Sequence, residues 1–286
     1  MLNEKAHRPK RYIVLALVFA LGLLLLYPIP AYAMHIAEGI LPANWAAIWY
    51  IPAVLSLAAG IYVIKKKIRE TKGLMPLLGL TGAAIFLISV FPIPVPVAGT
   101  SSHPVGTPLG AILVGPFIST VLGAIALLIQ ALFLAHGGIS TWGANIVSMA
   151  LVGSFVGFGV FTLFRRLNAP IFLAAFAAGL FGDWATYATT AFELASALHG
   201  GGSLWGMFAA IVTAFAPTQL PLGILEGLFT GGVVILVYQR RPELLSYVRG
   251  ARKPEPEMAG GERVADVAGI RTQGVVVVVS RLSATS

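Results

Sequence analysis

The chain has 286 residues, of which 57% are hydrophobic and only 10% charged, with 19 Lys and Arg against 11 Asp and Glu and no cysteine. Soluble domains carry roughly 25% charged residues, so this chain cannot cover a globule with polar surface. That excludes a soluble enzyme, a secreted disulfide scaffold, a thiolate metal site and a disordered chain. The expected fold is an all-α, polytopic integral membrane protein. The formal charge of +8 does not point to nucleic acid, because the basic residues sit at the ends of apolar stretches and form no stripe interleaved with stacking aromatics.

The first element is a leader over residues 1–33. Lys5, Arg8, Lys10 and Arg11 precede the apolar run Ile13 to Leu26, and Tyr27-Pro-Ile-Pro-Ala-Tyr-Ala33 follows. A basic start, a short apolar centre and a small-x-small end make a signal peptide, cleaved after Ala33. The run falls short of the roughly 20 apolar residues a span needs. Pro28 and Pro30 leave the cleavage site extended. An uncleaved first transmembrane helix is the alternative. The processed chain begins at Met34, on the outer face of the membrane.

Residues 34–239 form the transmembrane domain, with about seven helices, one broken or short. The first runs from Ala43 to Ile64, with Trp45, Trp49 and Tyr50 at its outer end and Lys65-Lys-Lys-Ile-Arg69 holding the other end cytoplasmic. Ala43/Ala47 and Ser56/Gly60 have the small-xxx-small spacing that lets helices pack closely. A second span covers Gly73 to Phe91. The stretch Pro92 to Pro108, rich in proline, glycine and hydroxyls, cannot be helical and reads as an outward loop dipping into the bundle.

Beyond the loop, Gly115-Pro116 divides an apolar run into a half-helix from Leu109 and a span from Ser119 to Leu134. Trp142 to Phe164 crosses to Arg165-Arg166. Ile171 to Leu198 returns outward, and Leu204 to Tyr238 comes back to Arg240-Arg241, with Pro217 and Pro221 marking a break. The amino end is outside and the carboxyl end inside, in the plasma membrane. Residues 240–286 are polar and read as a disordered cytoplasmic tail.

The chemistry concentrates at the new amino terminus. An amino-terminal residue followed by histidine offers the Met34 α-amine, the His35 amide nitrogen once deprotonated, and the His35 imidazole. Three fused nitrogens favour a square-planar or tetragonal site of the kind that takes Ni(II) or Cu(II), with Co(II) able to follow. The α-amine and imidazole titrate near neutrality, so a divalent cation can displace both protons. His103, in the irregular loop on the same face, can supply a fourth nitrogen. Read singly, His35 is also an interfacial side chain, and His103 also a group that ties up loop carbonyls.

His136 lies at a span end, is placed on the inner side, and reads as a structural donor or gate residue rather than a ligand. Asp183, Glu193 and Glu226 are intramembrane carboxylates, each costly to keep there, and either functional or holding helices together. Gln130, Asn145, Thr218 and Gln219 read as interhelical polar contacts. Ser102 beside His103 is not a triad, and no nucleophile elbow or Walker loop occurs. The chain is therefore not an enzyme, and any ATP-driven step belongs to another subunit.

The sequence resembles the CbiM/NikM family, the substrate-binding components of energy-coupling-factor cobalt and nickel transporters. The likeness rests on Met34-His-Ile-Ala-Glu-Gly-Ile-Leu-Pro42, Gly99-Thr-Ser-Ser-His-Pro-Val-Gly106 and Gly115-Pro116. It continues through Leu127 to Asn145, Ser148-Met149, Gly182-Asp183-x-x-Thr-Tyr187 and Thr218-Gln-x-Pro-x-x-x-x-Glu-Gly-Leu228. The resemblance implies a transported divalent metal held by Met34, His35 and His103, and no permanently bound cofactor. It implies a small membrane subunit of the CbiN/NikN type, a coupling membrane subunit of the CbiQ/NikQ type and an ATPase of the CbiO/NikO type. The leader and the Glu38-Gly39 start resemble cobalt members, where nickel members more often carry Pro-Asp-Gly. Ala37 fits neither pattern fully, and Gly99-Thr-Ser-Ser departs from the cobalt-type Gly-Ser-Cys-Ser. The expected role is cobalt(II) capture feeding cobalamin biosynthesis, with nickel(II) as the alternative cargo. A proton-coupled secondary transporter and, further off, an intramembrane hydrolase using Ser102 are the competing readings.

Overall fold

The computed structural model describes residues 32–33, 35–70, 74–90, 93–95 and 100–241, all within one compact unit. The expected signal peptide before Tyr32, the expected ligand Met34 and the expected disordered tail beyond Arg241 lie outside the described residues.

The body is helical. α1 (Ala43–Glu70) and α2 (Leu74–Ser89) come first, then α3 (Thr107–Val114) and α4 (Pro116–Phe133). α5 (Trp142–Asn145), a π-helical segment (Ile146–Val152) and α6 (Gly153–Arg166) follow without interruption. α7 (Ile171–Leu198) and α8 (Leu204–Arg240) complete it. Among the described residues, α1, α4, the continuous Trp142–Arg166 rod, α7 and α8 are long and apolar enough to cross a membrane. α2 is apolar but has 16 residues. The protein is thus a multi-pass membrane protein.

Each helix buries a face chosen by its small residues. α1 turns Ala46, Ala53, Ser56 and Gly60 inward and leaves much of its apolar surface facing outward, as a helix against lipid should. Ser56/Gly60 is therefore a packing pair, whereas Ala43 and Ala47 are exposed. α7 and α8 form the most extensive helix pair. Their backbones come so close that a Cβ on Gly227 would lie 2.8 Å from the Phe176 carbonyl oxygen.

α3 differs from its neighbours because all eight of its residues are buried. At about 1.5 Å per residue it is roughly 12 Å long, far short of a 30 Å hydrocarbon core. It starts with Pro108 in its first turn and stops at Gly115, whose φ of +94° reverses the chain into Pro116, the first residue of α4. α4 accordingly begins one turn before the expected Ser119. Thr107 and Thr120 donate to the carbonyls of Met149 (2.7 Å) and Ala150 (3.2 Å), which the wider π turn leaves available.

Two features differ from expectation. α8 runs unbroken through Pro217 and Pro221. A proline removes one donor from a helix, and packing along α7 outweighs that loss, so no break follows. The loop before α3 is not irregular throughout. Ile93–Val95 (β2) pairs antiparallel with Thr100–Ser102 (β3), and Tyr32–Ala33 (β1) pairs parallel with β3, giving the order β1-β3-β2.

Candidate metal centre

The small sheet explains how two distant histidines meet. Tyr32 faces Thr100 and Ala33 faces Ser101 in parallel register. The paired segments lead on toward His35 on one side and directly into His103 on the other. Both imidazoles are buried, at 2% and 0% exposure, and their Nε2 atoms are 3.2 Å apart.

His103 is held from several sides. Its Nδ1–H donates to the Pro104 carbonyl (2.9 Å), because a carbonyl can only accept. Its own carbonyl accepts from the Tyr187 hydroxyl (3.2 Å). Tyr187 therefore accepts from Ser102 Oγ (2.8 Å), which in turn accepts from the Gln219 amide. Just past His103, the Glu226 carboxylate accepts from the amides of Val105 (2.5 Å) and Gly106 (2.8 Å). A carboxylate across the start of α3 satisfies donors that no side chain of α3 itself caps and suits the positive end of the helix. Glu226, on α8, thus fixes the histidine loop.

His35 is held by α4 and α5. Its Nε2 lies 3.0 Å from Gln130 Oε1 on α4. Asn145 clamps the next residue, accepting from Ile36 N (2.9 Å) and donating to Ile36 O (3.2 Å), and Thr141 also donates to Ile36 O (2.5 Å). Asn145 therefore grips the amino-terminal segment rather than a neighbouring helix. Glu38 accepts from Ser140 N (3.0 Å), which holds its carboxyl below the usual range.

His136 belongs to this cluster, against the expectation that it lies on the opposite side. Its ring centroid is 4.7 Å from that of His35 and 5.0 Å from that of His103. One nitrogen from each of the three rings lies within 4.8 Å of the others. The reason is local. α4 ends at Phe133, Ala135 and Gly137 both take positive φ (49° and 85°), and the His136 amide bonds back to the Gln130 carbonyl (3.2 Å). The chain folds back onto the site instead of leaving it. A Cβ on Gly137 would sit 3.2 Å from that of His35, so a side chain there would crowd the pocket. His136 Nε2 is buried and has no hydrogen-bond partner among the described residues.

Burial depresses all three imidazoles. His35 is pushed well below 6.5, first by desolvation and then by the neighbouring His103 and His136. Desolvation takes His103 to about 3 and His136 to about 4. Burial thus favours the neutral imidazoles, whose nitrogen lone pairs are what a cation takes up.

Of the remaining expected residues, Asp183 and Glu193 are fully buried, and neither carboxylate finds a hydrogen-bond partner among the described residues. Ser102 is bonded to Tyr187 and Gln219, and it has no hydrogen bond to His103. Gln130 was read only as a polar contact between helices. A single glutamine in the apolar run Leu127 to Leu134 was the signal that could have marked it as a site residue.

Residues 35–244 match the family model CbiM, cobalt uptake substrate-specific transmembrane region. The chain is 56% identical over 217 residues to the cobalt transport protein CbiM of Geobacter sulfurreducens, covering 76% of this chain and 63% of that protein. It therefore spans less than two thirds of that relative's length. It is 47% identical over 219 residues to cobalt transport protein CbiM of Sorangium cellulosum, covering 77% of this chain and 97% of that protein. A crystal structure of a truncated transition metal transporter superposes with a TM-score of 0.64 at 30% identity, covering 72% of this chain and 98% of that one. With a family model matched across most of its length and relatives at this identity, the chain belongs to the CbiM family of cobalt-uptake substrate-specific transmembrane proteins.

Proposed function

We propose that this chain is the substrate-capture subunit of an ATP-dependent cobalt(II) importer of the energy-coupling-factor type, supplying cobalamin biosynthesis. The observation that carries the reading is the placement of His35 against His103 in a buried pocket, one residue after the processed amino terminus. Signal peptidase removes residues 1–33, and with them β1, which frees the Met34 amine on the outer face. Cobalt(II) is then held by that amine, the His35 amide and imidazole nitrogens, and His103 Nε2, which the Pro104 carbonyl keeps unprotonated. His136 stands beside them as a structural or gating group with a free nitrogen.

Seven helical segments build the membrane body, α3 being a short one that enters without crossing alone, with the mature amino end outside and the carboxyl end cytoplasmic. Coupling and energy come from partners of the CbiN, CbiQ and CbiO types. The test joins amino-terminal sequencing to cobalt binding by the purified protein. A chain starting at Met34 that binds one Co(II) supports the reading, and a chain still starting at Met1 that binds equally well overturns it. Tighter binding of Ni(II) than of Co(II) would reassign the cargo within the same site.

A second reading, a proton-coupled secondary transporter, is favoured by Asp183 and Glu193, both buried and without hydrogen-bond partners among the described residues. It requires cobalt uptake by this chain alone in proteoliposomes under a pH gradient. Uptake that needs the ATPase and coupling subunits eliminates it.

A further inference from the structure

The hydrogen bonds around His35 fix which of its nitrogens carries the proton, and the residue that does so lies outside the ligand set. Ser89 Oγ donates to the Ile85 carbonyl (2.8 Å), so toward Gln130 it can only accept. The Gln130 atom facing Ser89 (2.8 Å) is therefore its NH2 group, and the atom facing His35 is its carbonyl oxygen. A carbonyl oxygen accepts, so the proton of neutral His35 sits on Nε2 and the lone pair on Nδ1. Nδ1 is the nitrogen that can close a chelate ring with the His35 amide and the preceding amine.

Resting on the capture site proposed above, we infer that Gln130 is its positioning residue. It holds His35 in the Nε2–H tautomer and gives that proton an acceptor when the metal takes His103. His35 Nε2–H has two acceptors in reach, Gln130 Oε1 at 3.0 Å and His103 Nε2 at 3.2 Å. His103 Nδ1 is committed to Pro104, so its Nε2 is the only nitrogen it can turn to a cation. Metal binding withdraws that acceptor from His35. With Gln130 present, the His35 proton stays bonded. Without it, the two imidazoles pair only with each other, and binding must leave a buried N–H unsatisfied. Partners that orient a ligating histidine in this way are worth about 10–100-fold in metal affinity. The backbone carbonyl of Gln130 also receives the Leu134 (3.0 Å) and His136 (3.2 Å) amides, and a side-chain substitution leaves both bonds in place.

The experiment uses detergent-purified processed protein with 15N-labelled histidine. In the metal-free wild type, the ring shifts should report Nε2–H for His35 and Nδ1–H for His103. Q130L should lose this preference at His35, weaken Co(II) binding about 10–100-fold and alter the visible spectrum of the bound ion. Q130E, which restores an acceptor oxygen, should recover most of the affinity. Should Q130L not fold, S89A, which frees the Gln130 amide to rotate, should give the same changes at smaller size. A wild-type His35 protonated on Nδ1 overturns the inference, as does a Q130L protein that binds within twofold of wild type with its spectrum unchanged. Failure of the processed wild type to bind Co(II) counts against the capture reading alone, since the tautomer measurement needs no metal.

Discussion

The two histidines are held in opposite ways. His103 is part of the bundle's fixed interior. Its ring, its carbonyl and the amides that follow it are each bonded to buried groups from the loop, α7 and α8. His35 sits in the segment before α1, held by side chains of α4 and α5 and, at Glu38, by a contact near the surface. On the proposed reading, one ligand is preset by folding, whereas the other is delivered by a segment that leader cleavage would release. In the proposed capture site the contrast separates selectivity for a cation, built into the core, from access, which depends on processing before Met34.

The strongest way to break the contrast is at the delivered side. An extra residue before Met34 moves the amine away and turns the nitrogen at that position into an amide. Co(II) affinity should fall by more than about 100-fold, beyond what losing a supporting contact costs, while the fold is untouched. Titration calorimetry of matched proteins measures it. Full affinity in the extended protein would mean that the three imidazoles suffice.

The preset side breaks differently. E226L removes the acceptor for two buried amides, and each unsatisfied group costs about 1–3 kcal/mol. This variant should lower the thermal midpoint in detergent and reduce Co(II) affinity together. E226Q, which keeps one acceptor oxygen, should fall between it and the wild type. An E226L protein as stable as wild type would show that Glu226 does not hold the loop.

N145A tests the delivered side more gently. Ile36 loses a donor and an acceptor at once, though Thr141 still bonds its carbonyl. Co(II) affinity should drop about tenfold, equivalent to about 1.4 kcal/mol, with little change in melting because the bundle does not depend on the chain end. A large loss of stability with normal binding would reverse the assignment of this contact.

Much of this was legible in the sequence. Among the described residues, every expected span became a helix, since low charge and length leave little else for such runs to do in a membrane. His35 and His103 were paired because a histidine after a new amino terminus and a histidine in a proline-rich loop share one face. His136 was misplaced because assigning a side by counting crossings treats each run alike, while α3 is too short to cross and the turn at Ala135 and Gly137 sends the chain back inward. The expected break at Pro217 and Pro221 failed because a local rule about missing donors carries no weight for α7 lying alongside. Gln130 could not be told from an ordinary interhelical contact, because its meaning lies in Ser89 and His35, 41 and 95 residues away.

The smallest effect reaches both histidines together. Their folded-state values lie well below 6.5, so protonation favours the unfolded chain. Their stabilising contribution is complete above about pH 6.5 and is lost as pH falls toward the folded values. At pH 6 the loss is set by the unfolded imidazole alone and amounts to about 0.8 kcal/mol for each buried ring. Melting of the metal-free protein should therefore be flat in this respect from pH 8 to 7 and decline below 6.5. Replacing His103 with a neutral glutamine should remove about half of the decline due to the pair. If the acid limb is unchanged in that variant, the pocket does not keep its imidazoles neutral. The lone pairs that the capture site depends on would then have to be exposed by the arriving cation.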